Sequence, residues 1–91
     1  MNRLKNKTAV ITGSSRGIGL AILRKFAEEG ANIIACSSQE TDKKKAMYAK
    51  IAQEMGVSII GVYFDMANDE SVRKGVKEIK SLKLPINILV N

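Results

Sequence analysis

The polypeptide has 91 residues, with 15 Lys and Arg against 9 Asp and Glu, one cysteine and no histidine. That length holds one small domain with a modest core, and 45% hydrophobic residues exclude a chain disordered by composition. A lone cysteine excludes an internal disulfide, and the lack of histidine excludes zinc chemistry and histidine-assisted nucleophilic catalysis within these residues.

The elements follow in order along the chain. Met1 to Lys7 reads as a polar lead-in, and Thr8 to Thr12 as a first strand. A first helix is predicted from Arg16 to Glu29, with Ile18, Ile22 and Phe26 four apart and Leu23 and Ala27 beside them. Gly30 stands where the residue after a helix needs positive φ. A second strand spans Asn32 to Cys36, and Ser37 to Thr41 is a polar loop. The second helix runs from Asp42, a candidate N-cap, to Met55, with Met47, Ile51, Met55, Tyr48 and Ala52 on its apolar face, and Gly56 ends it. A third strand covers Ser58 to Phe64, with Asp65 to Ala67 as a loop. The third helix starts at Asn68 or Asp69 and ends at Leu82, with Val72, Val76 and Ile79 inward. Gly75 inside it costs about 1 kcal/mol relative to Ala. Pro85 cannot continue that helix, and Ile86 to Val90 is a fourth strand.

Strands alternating with helices four times argue a parallel sheet, and the continuous apolar strands fit burial on both faces. The expected strand order is 3-2-1-4, with a ligand crevice at the carboxyl ends beside strand 1, where the order reverses. The net charge of +6 favours acidic partners: nucleic acid, an anionic membrane or a phosphorylated cofactor. The basic residues are scattered and few aromatics accompany them, so a base-stacking surface is not expected. No apolar run approaches the length that spans a bilayer, and no signal-peptide core follows the first residues. No nucleic-acid or membrane partner is therefore expected, and a cytoplasmic location is.

The segment from Thr8 to Gly30 carries the most information. A short apolar strand runs into glycines at 13, 17 and 19, after which the apolar spacing turns helical. Strand, glycine turn and helix are the setting that a dinucleotide fingerprint requires. The spacing is Gly-x-x-x-Gly-x-Gly, but the physics is unchanged. Glycines admit the backbone close to a pyrophosphate, and a helix N-terminus offers unpaired N–H groups and partial positive charge. The alternative is a tight, closely packed turn without a ligand.

Thr12-Gly13-Ser14-Ser15-Arg16-Gly17-Ile18-Gly19 resembles the cofactor motif of the short-chain dehydrogenase/reductases, in the form found in the 3-oxoacyl-acyl-carrier-protein reductases of fatty-acid synthesis. Gly30-Ala31, Asp65-Met66 and Ile88-Leu89-Val90-Asn91 agree with it. The resemblance covers nearly the whole chain but only the first third or so of such an enzyme. It implies an α/β fold: a three-layer, Rossmann-type parallel sheet in the order 3-2-1-4, truncated after strand 4. Residues 1–91 would then be the N-terminal, NADP-binding half of an NADP-dependent ketoreductase acting on 3-oxoacyl thioesters, with a homo-oligomer expected.

The candidate cofactor residues are Gly13, Ser14, Ser15, Arg16, Gly17, Ile18, Gly19, Ser37, Ser38, Asp65, Met66 and Asn91. Ser14 and Ser15 can cap the helix, bind phosphate oxygens, or do both. A cation in a first helical turn, such as Arg16, is disfavoured by the helix dipole unless an anion lies nearby. A cofactor without a 2′-phosphate usually meets Asp or Glu about 20 residues beyond the turn. Here that region is Cys36-Ser37-Ser38-Gln39, without an acid, so NADP (NADPH) is expected over NAD. Lys43 to Lys45 either add positive field or are an ordinary exposed first turn.

By resemblance, Asp65 meets the adenine edge with Met66 next to it, and Asn91 begins the loop flanking the ribose. Asp65 also reads as a turn residue ahead of a helix, and Cys36 as a small buried core residue. The family's catalytic Ser, Tyr and Lys have no counterpart here. Tyr48 is followed four residues later by Ala52, and Tyr63 by Ala67. No catalytic or metal-binding residue is assigned, and the 91 residues alone are expected to be inactive. A stand-alone nucleotide-binding or interaction module, and a basic nucleic-acid binder, remain as readings of a different class.

Overall fold

A computed structural model describes residues 2–91, so only Met1 of the lead-in lies outside the described residues. The elements are β1 (Thr8–Ile11), α1 (Gly17–Glu28), β2 (Asn32–Ser37), α2 (Asp42–Met55), β3 (Ile59–Tyr63), α3 (Asp69–Ser81) and β4 (Ile88–Val90). All strand pairs are parallel and the sheet order is β3-β2-β1-β4, as expected. Val10 lies between Ile34 and Leu89 across the ladder.

Two cores form because successive strand side chains point to opposite faces. Ala9, Ile11, Ile33 and Ala35 face α1 and α2, where Leu23, Ala27, Tyr48 and Ile51 close the layer. Val10, Ile34, Cys36, Val62 and Phe64 face the other way, against Val72, Ile79 and Leu82 of α3 and its end. Burial on both faces holds for β1 and for all of β2 but Asn32. β3 is mostly half-buried and β4 is half-exposed, because they are the edges.

Several boundaries differ from expectation for local reasons. The N–H of Ser58 donates to Asn32 Oδ1, and the Thr8 N–H to Asn87 Oδ1. Side chains thus replace ladder partners, and β3 and β4 begin one and two residues late. α2 is capped by Thr41, not Asp42: its Oγ1 accepts from the Lys44 N–H at 3.1 Å. An N-cap serves the amide three residues on, which leaves Asp42 as a favourable charge in the first turn. Asn68 caps α3 in the same way. Gly30 and Gly56 follow α1 and α2 with positive φ.

One inward assignment fails, that of Val76, and one residue of the apolar spacing in α1 lies outside. Ile18 is 80% exposed, because five residues at 3.6 per turn set it roughly 140° round the helix from Leu23. Val76 is 42% exposed; the inward stripe of α3 is Val72, Gly75, Ile79 and Leu82, which places Val76 on its flank. Met55 in the last turn of α2 is also partly exposed. Among the described residues, no helix is long and apolar enough to cross a membrane.

Candidate functional site

β1 runs out into the glycine turn at the carboxyl edge of the sheet. The Thr12 N–H still donates to Val90 O at 3.0 Å, and the chain then turns through Gly13 at φ +58°. Gly17, also at φ +58°, starts α1 in a conformation that a side chain would strain. At Gly19 the constraint is space. A Cβ there would overlap the Gly13 carbonyl oxygen and lie 2.7 Å from its carbon. α1 therefore packs its first turn directly on the loop.

That first turn has no side-chain cap. Arg16 occupies the cap position in extended conformation, and its side chain accepts nothing. α2 and α3 have Thr41 and Asn68 in that role. The leading amides of α1 thus keep their partial positive charge, with no acidic residue in the turn to offset it.

A cleft of about 200 Å³ opens in front of this turn. Thr12, Gly13, Ser15 and Arg16 form one side, Cys36, Ser37 and Ser38 a second, and Phe64 and Met66 a third. These are the ends of β1, β2 and β3: the carboxyl edge is the expected one, but the cleft lies on the β2 side of β1 and not toward β4, where the strand order reverses. A depression of about 230 Å³ adjoins it through Ser15 and Arg16 and brings in Thr41, Lys43, Lys44 and Met47. Lys44 Nζ donates to Gln39 O at 2.8 Å, and Lys45 pairs with Glu40 outside the depression. Among the described residues, Arg16 and Lys43 have no carboxylate partner. The second depression is therefore a basic extension of the first.

The twelve candidate residues separate clearly. Gly13, Ser15, Arg16, Ser37, Ser38 and Met66 line the cleft, and Gly17, Ile18 and Gly19 form the first turn of α1 beside it. Ser14 does not match expectation. It is fully buried, its N–H and Oγ both donate to Cys36 O, at 3.2 and 3.1 Å, and it caps no helix. Its hydroxyl faces inward, against Cys36 and Tyr48. Asp65 Oδ1 accepts from the Ala67 N–H at 2.9 Å, the turn reading, and Asp65 does not line the cleft. Asn91 lies past β4, exposed and outside the cleft. Thr12, Cys36 and Phe64 were missed as wall residues. The strand spacing already puts Phe64 on the face of Val62, at the carboxyl end.

Ser37 stands apart. It is 8% exposed, and its Oγ has no hydrogen-bond partner among the described residues. A buried hydroxyl without a partner is costly, and this one sits in the cleft wall between Cys36 and Ser38.

Strand, glycine turn, uncapped helix start and a cleft at the carboxyl edge thus come together in one place, and comparison with known proteins shows where this arrangement belongs. The model of the short chain dehydrogenase family matches residues 7–91.

The chain belongs to the short-chain dehydrogenase family.

Among relatives in this family is the 3-oxoacyl-[acyl-carrier-protein] reductase FabG of Aquifex aeolicus, 38% identical over 89 residues, or 98% of this chain and 36% of that protein. The L-sorbose reductase of Gluconobacter frateurii, solved with NADPH and L-sorbose, superposes with a TM-score of 0.87 at 39% identity over 100% of this chain and 35% of its own. A short-chain dehydrogenase of Burkholderia cenocepacia, solved with NADP, gives 0.83 at 34% identity over 99% of this chain and 36% of its own. The chain thus spans about a third of the length of these three proteins.

Proposed function

We propose that residues 1–91 form the NADP-binding part of a ketoreductase, and that Arg16 with Ser37 and Ser38 selects NADPH over NADH. The observation that carries this reading is the unpartnered, buried Ser37 hydroxyl in the same cleft as Arg16. A ribose hydroxyl or phosphate oxygen would satisfy it. A carboxylate at this place would repel a 2′-phosphate, whereas a neutral hydroxyl beside a guanidinium accepts one. The uncapped first turn of α1 suits the pyrophosphate. The cofactor supplies the hydride when bound; the residues here bind and orient it.

The cleft is smaller than the about 300 Å³ or more usual for a ligand site, so it takes one part of a dinucleotide while the turn and basic depression take others. We further propose 3-oxoacyl thioesters as substrates, supported by likeness to the Aquifex reductase. The sorbose reductase is similar to the same degree, so the test compares an acetoacetyl thioester with L-sorbose. The 91 residues by themselves should oxidise no NADPH, because Tyr48 and Tyr63 have no lysine four residues on. NADPH consumption with the ketose alone would overturn the thioester assignment.

Arg16→Ala in the full-length protein tests the cofactor assignment. NADPH binding should weaken by ~1.5–3 kcal/mol, the worth of a charge-assisted contact, and NADH binding far less. Equal losses for the two nucleotides would show that Arg16 does not read the 2′-phosphate.

A further inference from the structure

Ser14 is fully buried, unlike its neighbours Gly13 and Ser15, which line the cleft. Its Oγ donates to Cys36 O at 3.1 Å and lies 3.1 Å from Tyr48 Oη. Cys36 O can only accept. The serine proton is therefore committed there, and the tyrosine O–H donates to Ser14 Oγ. Tyr48 belongs to α2, is 2% exposed and lines neither the cleft nor the adjoining depression. It cannot touch a nucleotide, yet its one polar atom ends on the glycine turn.

From this we propose that Tyr48 is a positioning residue for the glycine turn, holding it through Ser14 in the shape that receives the pyrophosphate. The proposal rests on the cofactor reading above. Ser14 clamps the turn to the end of β2, and Tyr48 clamps Ser14 from α2. Gly13 and Ser15 follow because they are bonded to Ser14 on either side. The turn itself holds glycines at φ +58°, so it has little stiffness of its own. Fixing it in advance spares the cofactor the cost of ordering it.

The test uses the full-length protein with Tyr48→Phe, Ser14→Ala and the double variant. Each is measured by NADPH and NADH titration well below its own Tm. Tyr48→Phe should weaken both nucleotides by the same factor, roughly 2- to 10-fold, the span of one net hydrogen bond. Arg16→Ala, by contrast, separates the two nucleotides. Ser14→Ala strands the tyrosine hydroxyl without a partner, so it should lose more stability than the double variant, which leaves no orphan. The double variant also serves if a single one fails to fold, and its nucleotide losses should fall short of the summed single losses. Unchanged affinities in Tyr48→Phe and in the double variant, with only Tm lowered, would reduce the contact to packing and overturn the proposal. Wild-type protein that binds neither nucleotide would overturn the cofactor reading and this proposal together.

Discussion

Cys36 shows how one residue can serve the core and the cleft together. Its side chain packs with Val10, Ile34, Val62 and Phe64, its carbonyl anchors Ser14, and it forms part of the cleft wall. Burial pushes the thiol up from its ordinary 9.0 to about 11, with the Glu78 carboxylate adding to the effect. The folded chain then holds this proton more tightly than the unfolded chain. As pH rises through 9, the unfolded state releases it first, and stability falls between pH 9 and 11. Below pH 9 the contribution is complete. Urea unfolding of wild type and Cys36→Ala across this window should show the steeper decline in wild type. Parallel declines would mean that the thiol is not held protonated by the fold.

At the scale of elements, α3 carries an instructive conflict between propensity and packing. Helix propensity alone says that Gly75→Ala should stabilise the protein by about 1 kcal/mol. Gly75, however, is buried at the centre of the inward stripe, and a Cβ there would collide with the Phe64 ring, lying 2.6 Å from Cγ. Phe64 has little room to yield: it is 8% exposed and its N–H donates to Ser37 O at 3.0 Å. Overpacking of this kind costs ~1–3 kcal/mol, which outweighs the propensity gain. Gly75→Ala should therefore lower the urea midpoint and, because Phe64 walls the cleft, weaken nucleotide binding as well. A rise in the midpoint with normal binding would show that the ring repacks freely.

For the molecule as a whole, the sheet's β4 edge matters most. Leu89 is 65% exposed and Ile86 is 43% exposed. Leu89 lies on the α3 face of the sheet but is not among the residues packed in that core, whereas Ile88 and Val90 pack toward α1. An exposed apolar edge strand is a template for pairing with another chain, and a domain of this size has little burial energy in reserve. The net charge of +6 opposes association only weakly once salt screens it within about 10 Å at 0.1 M. The 91-residue polypeptide on its own should thus form dimers or larger species through β4. A compact monomer with a cooperative melt, in sedimentation and thermal scans at moderate salt, would contradict this.

The order of elements, the 3-2-1-4 sheet and the crevice at its carboxyl edge were legible in the sequence because they rest on local rules. A period of two or 3.6 is visible along the chain, and a glycine at a strand-to-helix turn announces a backbone that a side chain would obstruct. Arg16 and the acid-free Ser37-Ser38 could be put at that edge to within one residue: Arg16 is the extended residue before α1 and not its first helical one, and Ser37 ends β2 and does not open the loop. What only the tertiary structure decided are contacts between elements far apart in sequence. Ser14 turns inward because its hydroxyl meets Cys36 and Tyr48, 22 and 34 residues away. Phe64 reaches the cleft because Gly75 on another element gives its ring room. Ile18 turns outward because the phase of α1 follows the residues that meet the sheet, Leu23 and Ala27. A pattern along one helix shows that a face is apolar; which residue lies at its centre depends on the partner it packs against.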